Sequence, residues 1–398
     1  MKFLIFFASL LLSTSPSAEV MERALGKFEN YPNNCNWPQD DSTKCLVAWN
    51  SGKYAQSWYY IPVDINPDIS PVDLKTNQNL LTEQQQKRLD YFFNNSPVMA
   101  LLVIKNGEIA YEKYQYGRKP SDTFLYVSMS KSITALAVGK AIELGIIKGI
   151  DDKVSQYLPE LKDSSYGDVS IRHLLEMRSG VGYDYNTDSA NSDTIKLARI
   201  ITGGMNISFM TYIENYRKGI KPGAAGSKFN YDDNATVLLG KIVEKASSQV
   251  LPDFFSQHIW SKIGSHDRAI WRKNIRGDFG ANFSFFSTAR DLAQLGIVLI
   301  NDGRHEGNQI IQSSWIQAQT NWISDTSNMV GRTYGYGYQT WIPDKSGNTF
   351  HFRGHQGQAL YADRKSKTLL IAFSVDAANR NWNSLDSLFD VVKPNKQP

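Results

Sequence analysis

The hydrophobic and polar positions of this chain change rhythm several times. An apolar run at 3–12 follows a single lysine and gives way to small residues. That succession predicts a secretory signal over 1–18, cut near Ser17 or Ala18, because the run is too short to span a bilayer. Residues 19–75 are rich in Asn, Pro, Asp and Trp and show no steady period, so they read as an irregular arm. "LTEQQQKRLDYFFNN" (81–95) puts Leu89, Phe92 and Phe93 on one side of a helix. "VMALLVIKNGEIAYEKYQYG" then gives two β-runs around Asn106-Gly107, a strong hairpin signal.

Over 128–147 the period becomes helical, with Ile133, Leu136, Ala137, Ala141 and Leu144 on one face. The other faces are also largely Ala, Val and Ile, which predicts a buried helix. Residues 150–300 read as mostly helical. Three strand-like stretches follow, "NTFHFRG", "GQALYADR" and "TLLIAFSVD", and then a short helix near 382–392. Strands at both ends of a domain at 76–398, with helices between them, predict an α+β fold. Its antiparallel sheet is closed by both termini, flanked by helices and joined to an all-α subdomain. The cleft between sheet and subdomain is the expected site.

Composition narrows the function. The 398 residues are 41% hydrophobic, enough for a large core, and the net charge of +4 is spread without a basic block. Nucleic acid is therefore excluded as the expected partner. No later segment predicts a membrane span once the signal is removed. Both cysteines, Cys35 and Cys45, follow the signal, and in an oxidising compartment they are expected to pair. Such a bridge is worth about 3 kcal/mol in the chain-entropy model. His351 and His355 are four apart on a predicted strand, a poor arrangement for one metal ion, and neither a metal nor another cofactor is implied.

The chemistry begins with "SMSK". Ser128 and Lys131 stand three apart at the start of the buried helix and are neighbours on its surface. A serine hydroxyl needs a partner to take its proton, and a desolvated lysine one turn away can do so. The helix N-terminus adds free N–H groups suited to a developing oxyanion. There is no Gly-x-Ser-x-Gly elbow and no phosphate loop.

Two later stretches extend this pattern. "KFNYDDNATVLLGKIVEKAS" places Tyr231 before a helix, and "FRGHQGQALYAD" places His355 and Gly357 before a strand. Together with "SMSK" they resemble the three motifs of the serine β-lactamase and penicillin-binding superfamily. The likeness is to its class C-like branch, with esterases, D-amino-acid peptidases and aminohexanoate-oligomer hydrolases. "VSIRHLLEMRSGVGYD", "FSTARDLAQLGIVLINDG" and "YGYGYQTW" extend the resemblance over roughly 95–390. It implies Ser128 as the acylated nucleophile, Lys131 as its base or proton holder, and Tyr231 as the relay to the leaving group. It implies an oxyanion hole from the N–H groups of Ser128 and Gln358, with Gly357 kept bare beside the substrate. Tyr183 or Tyr185 would assist a leaving amine, as a loop tyrosine does in the oligomer hydrolases.

The sequence departs from the pattern twice. Asp233 stands at the third position of the tyrosine motif, with Asn234 next to it. Its charge would hold Lys131 protonated more firmly and favours Tyr231 as the base. His355 stands where β-lactamases keep a lysine for the substrate carboxylate, and histidine supplies less charge at neutral pH. The expectation is an exported serine hydrolase, periplasmic or secreted, acting on a small ester, amide or peptide-like substrate. Two alternatives stay open. One is a β-lactamase or D-amino-acid peptidase acting on cell-wall-like substrates; the other is a non-catalytic protein that binds peptides or cell-wall fragments.

Overall fold

The computed structural model describes residues 43–50, 58–187, 189–201, 204–216, 218, 223–327, 334–376 and 381–393. The first elements are helix α1 (Thr43–Asn50) and strand β1 (Trp58–Val63). Helix α2 (Glu83–Asn95) follows, opened by Thr82 and Gln85, which cap each other's backbone N–H groups. Strands β2 (Val98–Lys105) and β3 (Glu108–Tyr114) form the expected hairpin. Both turn residues, Asn106 and Gly107, have positive φ, as a tight two-residue turn requires.

An eight-stranded antiparallel sheet forms one half of the molecule. Its order runs from β3 and β2 to the strands Thr368–Ser374, Gln358–Asp363 and Thr349–Gly354, then to three two-residue strands. The chain therefore closes its own sheet: Leu102 from the start of the domain faces Ile371 from its end. Alternate residues of these central strands serve two cores. Ala100, Leu102, Ile104, Leu369 and Ile371 face the main core. Leu101, Val103, Leu370 and Ala372 face a second layer built from α2 and the C-terminal helix Asn381–Val392, through Leu89, Phe92, Phe93, Leu385 and Phe389. Both faces are covered, which is why these strands read as continuous apolar runs.

Two expectations need correction. The stretch 150–300 contains β-structure as well as helices. Strand β4 (Thr123–Leu125), β5 (Ala269–Asn274), β6 (Phe285–Thr288) and β1 form a second, four-stranded sheet in the order β1-β5-β6-β4. Runs as short as "AIWRKN" and "FFST" are too brief for a period of two to separate them from helix. The described part of the 19–75 arm is also regular, since α1 and β1 lie within it. β1 pairs along its length with β5, and Pro62 is tolerated because β1 is an edge strand. Residues 1–18 and Cys35 lie outside the described residues, and so does the Cys35–Cys45 pairing. Among the described residues no helix is long and apolar enough to cross a membrane.

Candidate active site

The turn that carries Ser128 links strand β4 to the buried helix. β4 runs antiparallel to β6, and the chain then turns through Tyr126 and Val127 into helix α3 (Met129–Glu143), with Ser128 at its N-cap. The turn is pinned from β6: Tyr126 N–H donates to Phe285 O (2.9 Å), and Phe285 N–H donates to Ser130 Oγ (3.1 Å). Val127 has φ 48°. That left-handed conformation is strained for a β-branched residue and persists only when the surroundings impose it. Every residue of α3 from Met129 to Ala141 is buried, so the helix is a rigid platform for the side chain at its tip.

Lys131 reaches back along this helix. Its Nζ donates to Ser128 Oγ (3.0 Å) and to the carbonyl of Asn282 (3.2 Å), and lies 2.6 Å from Asp233 Oδ1. The ammonium also lies over the Tyr231 ring, 4.9 Å from its centroid. Lysine and aspartate are almost completely buried. Removing either would leave the other charged and unpaired, at a cost of about 3–5 kcal/mol.

Tyr231 enters from the other side, just ahead of the helix Asp233–Ser247. Its ring is stacked on Trp341 (5.6 Å between centroids) and edge-on to Tyr185 (4.9 Å) and Tyr336 (6.2 Å). This accounts for "YGYGYQTW", whose Tyr336 and Trp341 wall the phenol. Burial raises the Tyr231 phenol far above its ordinary range; the Asp233 charge raises it further, and a hydrogen bond with Ser128 partly opposes both. The phenol therefore rests protonated. This counts against a resting phenolate as the base, the role that Asp233 had favoured for Tyr231.

The helix behind Tyr231 is capped by Asp232, which accepts from the N–H groups of Asn234 (3.0 Å) and Ala235 (3.4 Å). Tyr166 Oη donates to the same carboxylate at 2.8 Å. Burial pushes the Asp232 carboxyl up to about 7. Asn234 donates to Tyr166 Oη at 3.3 Å and so serves the cap.

The third motif closes the cleft. Strand Thr349–Gly354 ends in the turn His355–Gly357, and the chain returns as Gln358–Asp363. Gly357 has φ 88°, and Gln356 has φ 66°. Only glycine adopts the former without strain. The Gln358 side chain holds Ser374 through its own amide, donating to the Ser374 carbonyl and accepting from its N–H, and its backbone pairs with Gly354 across the turn. His355 lines the cleft with Ser128, Lys131, Asp233 and Tyr185. Tyr183 is one layer deeper, with Oη 3.4 Å from Asp233 Oδ2. Of the two loop tyrosines, therefore, Tyr185 borders the cleft and Tyr183 supports the carboxylate. Two roomier surface grooves, one along Tyr334 and His351 and one along Asp302 and Arg364, bring no serine against a lysine among the described residues. Nor does any group of three metal-ligating side chains occur among them.

Comparison with known proteins gives the family. The family model described as Beta-lactamase matches residues 86–383. The chain belongs to the β-lactamase family. Within this family, a 6-aminohexanoate-dimer hydrolase from Paenarthrobacter ureafaciens is 25% identical over 311 residues, 74% of this chain and 78% of that protein. Esterase EstB from Burkholderia gladioli is 31% identical over 181 residues, 42% of this chain and 45% of that one. A solved Bacillus anthracis structure named for a 6-aminohexanoate-dimer hydrolase superposes with a TM-score of 0.76 at 23% identity, covering 92% of this chain and 96% of that one. At that identity it speaks for the fold alone. This β-lactamase-family chain is an enzyme of the serine-hydrolase type, and its relatives include esterases and amide hydrolases.

The structure of this β-lactamase-family protein also adds site residues that the motifs did not reveal. A Cβ on Gly354 would lie 2.3 Å from Tyr126 O and 3.1 Å from Ser128 N, so glycine lets the strand end meet the Ser128 turn. The "RG" before "HQG" was a readable signal for it. Asn282, Phe283, Thr187, Thr194, Ala198 and Trp49 complete the cleft wall. None lies in a motif; they come from a strand connection, a loop, a helix and the supposed arm.

Proposed function

We propose that the protein is an exported serine hydrolase that cleaves an uncharged ester or linear amide through an acyl-enzyme on Ser128. The observation that carries this reading is the 3.0 Å contact of Lys131 Nζ with Ser128 Oγ, made by an ammonium whose charge is already met by Asp233. In the proposed acylation, Ser128 Oγ attacks the carbonyl carbon while its proton passes to Tyr231 Oη. Tyr231 gives its own proton to the departing alkoxide or amine nitrogen. One bond to the carbonyl carbon forms, one breaks, and no free phenolate accumulates, in keeping with the raised Tyr231. Lys131 steadies the charge that develops on Oγ. The N–H groups of Ser128 and Gln358 receive the oxyanion. Water then follows the same relay in reverse to release the acid.

Among the described residues lining the cleft, Lys131 is the only lysine or arginine, and its charge is matched. That supports neutral substrates over β-lactams and D-amino-acid peptides, whose carboxylate needs a cation. A charge-assisted contact of that kind is worth on the order of 1.5–3 kcal/mol, or roughly ten- to a hundredfold in capture. Export rests on the 1–18 pattern, and N-terminal sequencing of the mature protein tests it. Purified protein is assayed on short-chain p-nitrophenyl esters, linear amides, a cephalosporin and D-Ala-D-Ala peptides. Ester or amide turnover should dominate, and His355→Lys should move the ratio toward anionic substrates. Comparable wild-type efficiency on cephalosporins overturns the substrate reading. Residual activity above about 10% in Ser128→Ala, a barrier change under 1.4 kcal/mol, overturns the nucleophile.

A further inference from the structure

The supposed arm reaches the catalytic cleft. Helix α1 ends in Trp49 and Asn50. The Asn50 side chain brackets Leu125, donating to its carbonyl (3.3 Å) and accepting from its N–H (3.2 Å). Leu125 ends the strand that leads into Ser128, so α1 is fixed relative to the nucleophile. Trp49 is buried, with 3% exposure, yet it does not join the main core. It belongs to a small separate cluster with Leu125, Val127, Ile270 and Phe286, against which Phe283 packs. Trp49, Val127 and Phe283 also appear together on the cleft wall beside Ser128. Polar groups (Thr187, Thr194 and Asp233) line the same cleft. It therefore offers an apolar surface for a hydrocarbon chain and polar groups for the carbonyl region.

We propose that Trp49 is a specificity-determining residue: with Val127 and Phe283 it forms an apolar subsite next to Ser128 and limits the length of the substrate's alkyl chain. The proposal rests on the reading of Ser128 as nucleophile. Tryptophan suits the role because it presents a large rigid surface at little conformational cost. Its truncation opens room for added methylenes, each worth about 0.8 kcal/mol when buried, or about fourfold.

The test compares p-nitrophenyl acetate and octanoate in wild type, Trp49→Phe and Trp49→Ala, with thermal melts of each. The octanoate-to-acetate ratio of kcat/KM should rise at least tenfold in Trp49→Ala and less in Trp49→Phe. If Trp49→Ala loses its cooperative melt, Trp49→Leu replaces it. A uniform fall in rate with an unchanged ratio means that Trp49 is packing only and overturns the proposal. A parallel arm measures binding of acetamide and octanamide in the Ser128→Ala background. A chain-length shift in binding, with no hydrolysis by any variant carrying Ser128, supports the subsite and overturns the hydrolase reading. Hydrolysis without a shift in either arm overturns the subsite and leaves the hydrolase reading intact.

Discussion

Lys131 Nζ and Asp233 Oδ1 lie 2.6 Å apart in a nearly dry environment, joining the N-terminal ends of two helices beside Ser128. The pair shapes both stability and chemistry. Lys131→Ala should lower stability by about 3–5 kcal/mol, because it leaves a buried carboxylate without its counter-ion. It should also abolish turnover. Lys131→Met combined with Asp233→Asn should restore most of the stability and none of the activity. Chemical denaturation and ester assays of the three proteins check this. Activity recovered in the double variant would remove the ammonium from the mechanism.

Tyr231 is held between Trp341, Tyr185 and Tyr336, so its ring is fixed by packing while its hydroxyl bonds to Ser128. Tyr231→Phe should preserve those contacts and the melting temperature. Turnover should fall by roughly 100-fold or more. A fully active variant removes the phenol from the relay.

Gly354 allows the end of its strand to touch the Ser128 turn. In Gly354→Ala the new methyl group would press on the carbonyl of Tyr126 and the N–H of Ser128, both backbone atoms that cannot swing aside. The expected result is a loss of at least tenfold in kcat, together with a lower melting temperature. An active, equally stable variant would mean that the turn adapts without cost.

Asp232 gives a pH signature. Burial raises its carboxyl from about 3.8 to about 7. The stability it contributes is therefore fully present below about 4 and is lost as pH rises through about 7. Asp232→Asn keeps an oxygen for the cap and removes that dependence. The melting temperature of the variant minus that of wild type should rise between pH 5 and 8 and level off above it. The matching change in relative unfolding free energy is on the order of 1–3 kcal/mol. Asp291, also raised by burial, to about 6, is present in both proteins and cancels in the difference. A flat difference across this range would assign the cap an ordinary carboxylate.

Much of this protein was legible in its sequence, because the signals were local. The Asn106-Gly107 turn, the continuous apolar character of 98–105 and 368–374, and the all-round apolar helix after Ser128 each follow from short-range rules of turn geometry and burial. Serine and lysine three apart on a helix are neighbours whatever the rest of the chain does. The remainder depended on contacts between residues far apart in the chain, which no local period records. Thus β5 and β6 are too short to announce themselves and are strands because β1 and β4 pair with them. Lys131 meets Asp233 across 102 positions (233 − 131), and that contact decides whose charge balances whose. Trp49 reaches the cleft because Asn50 clasps Leu125, 75 residues along the chain. The sequence determined which groups were available and the helix tip on which the nucleophile would stand. Only the tertiary structure decided which walls enclose it, because burial and charge pairing are properties of the assembled core.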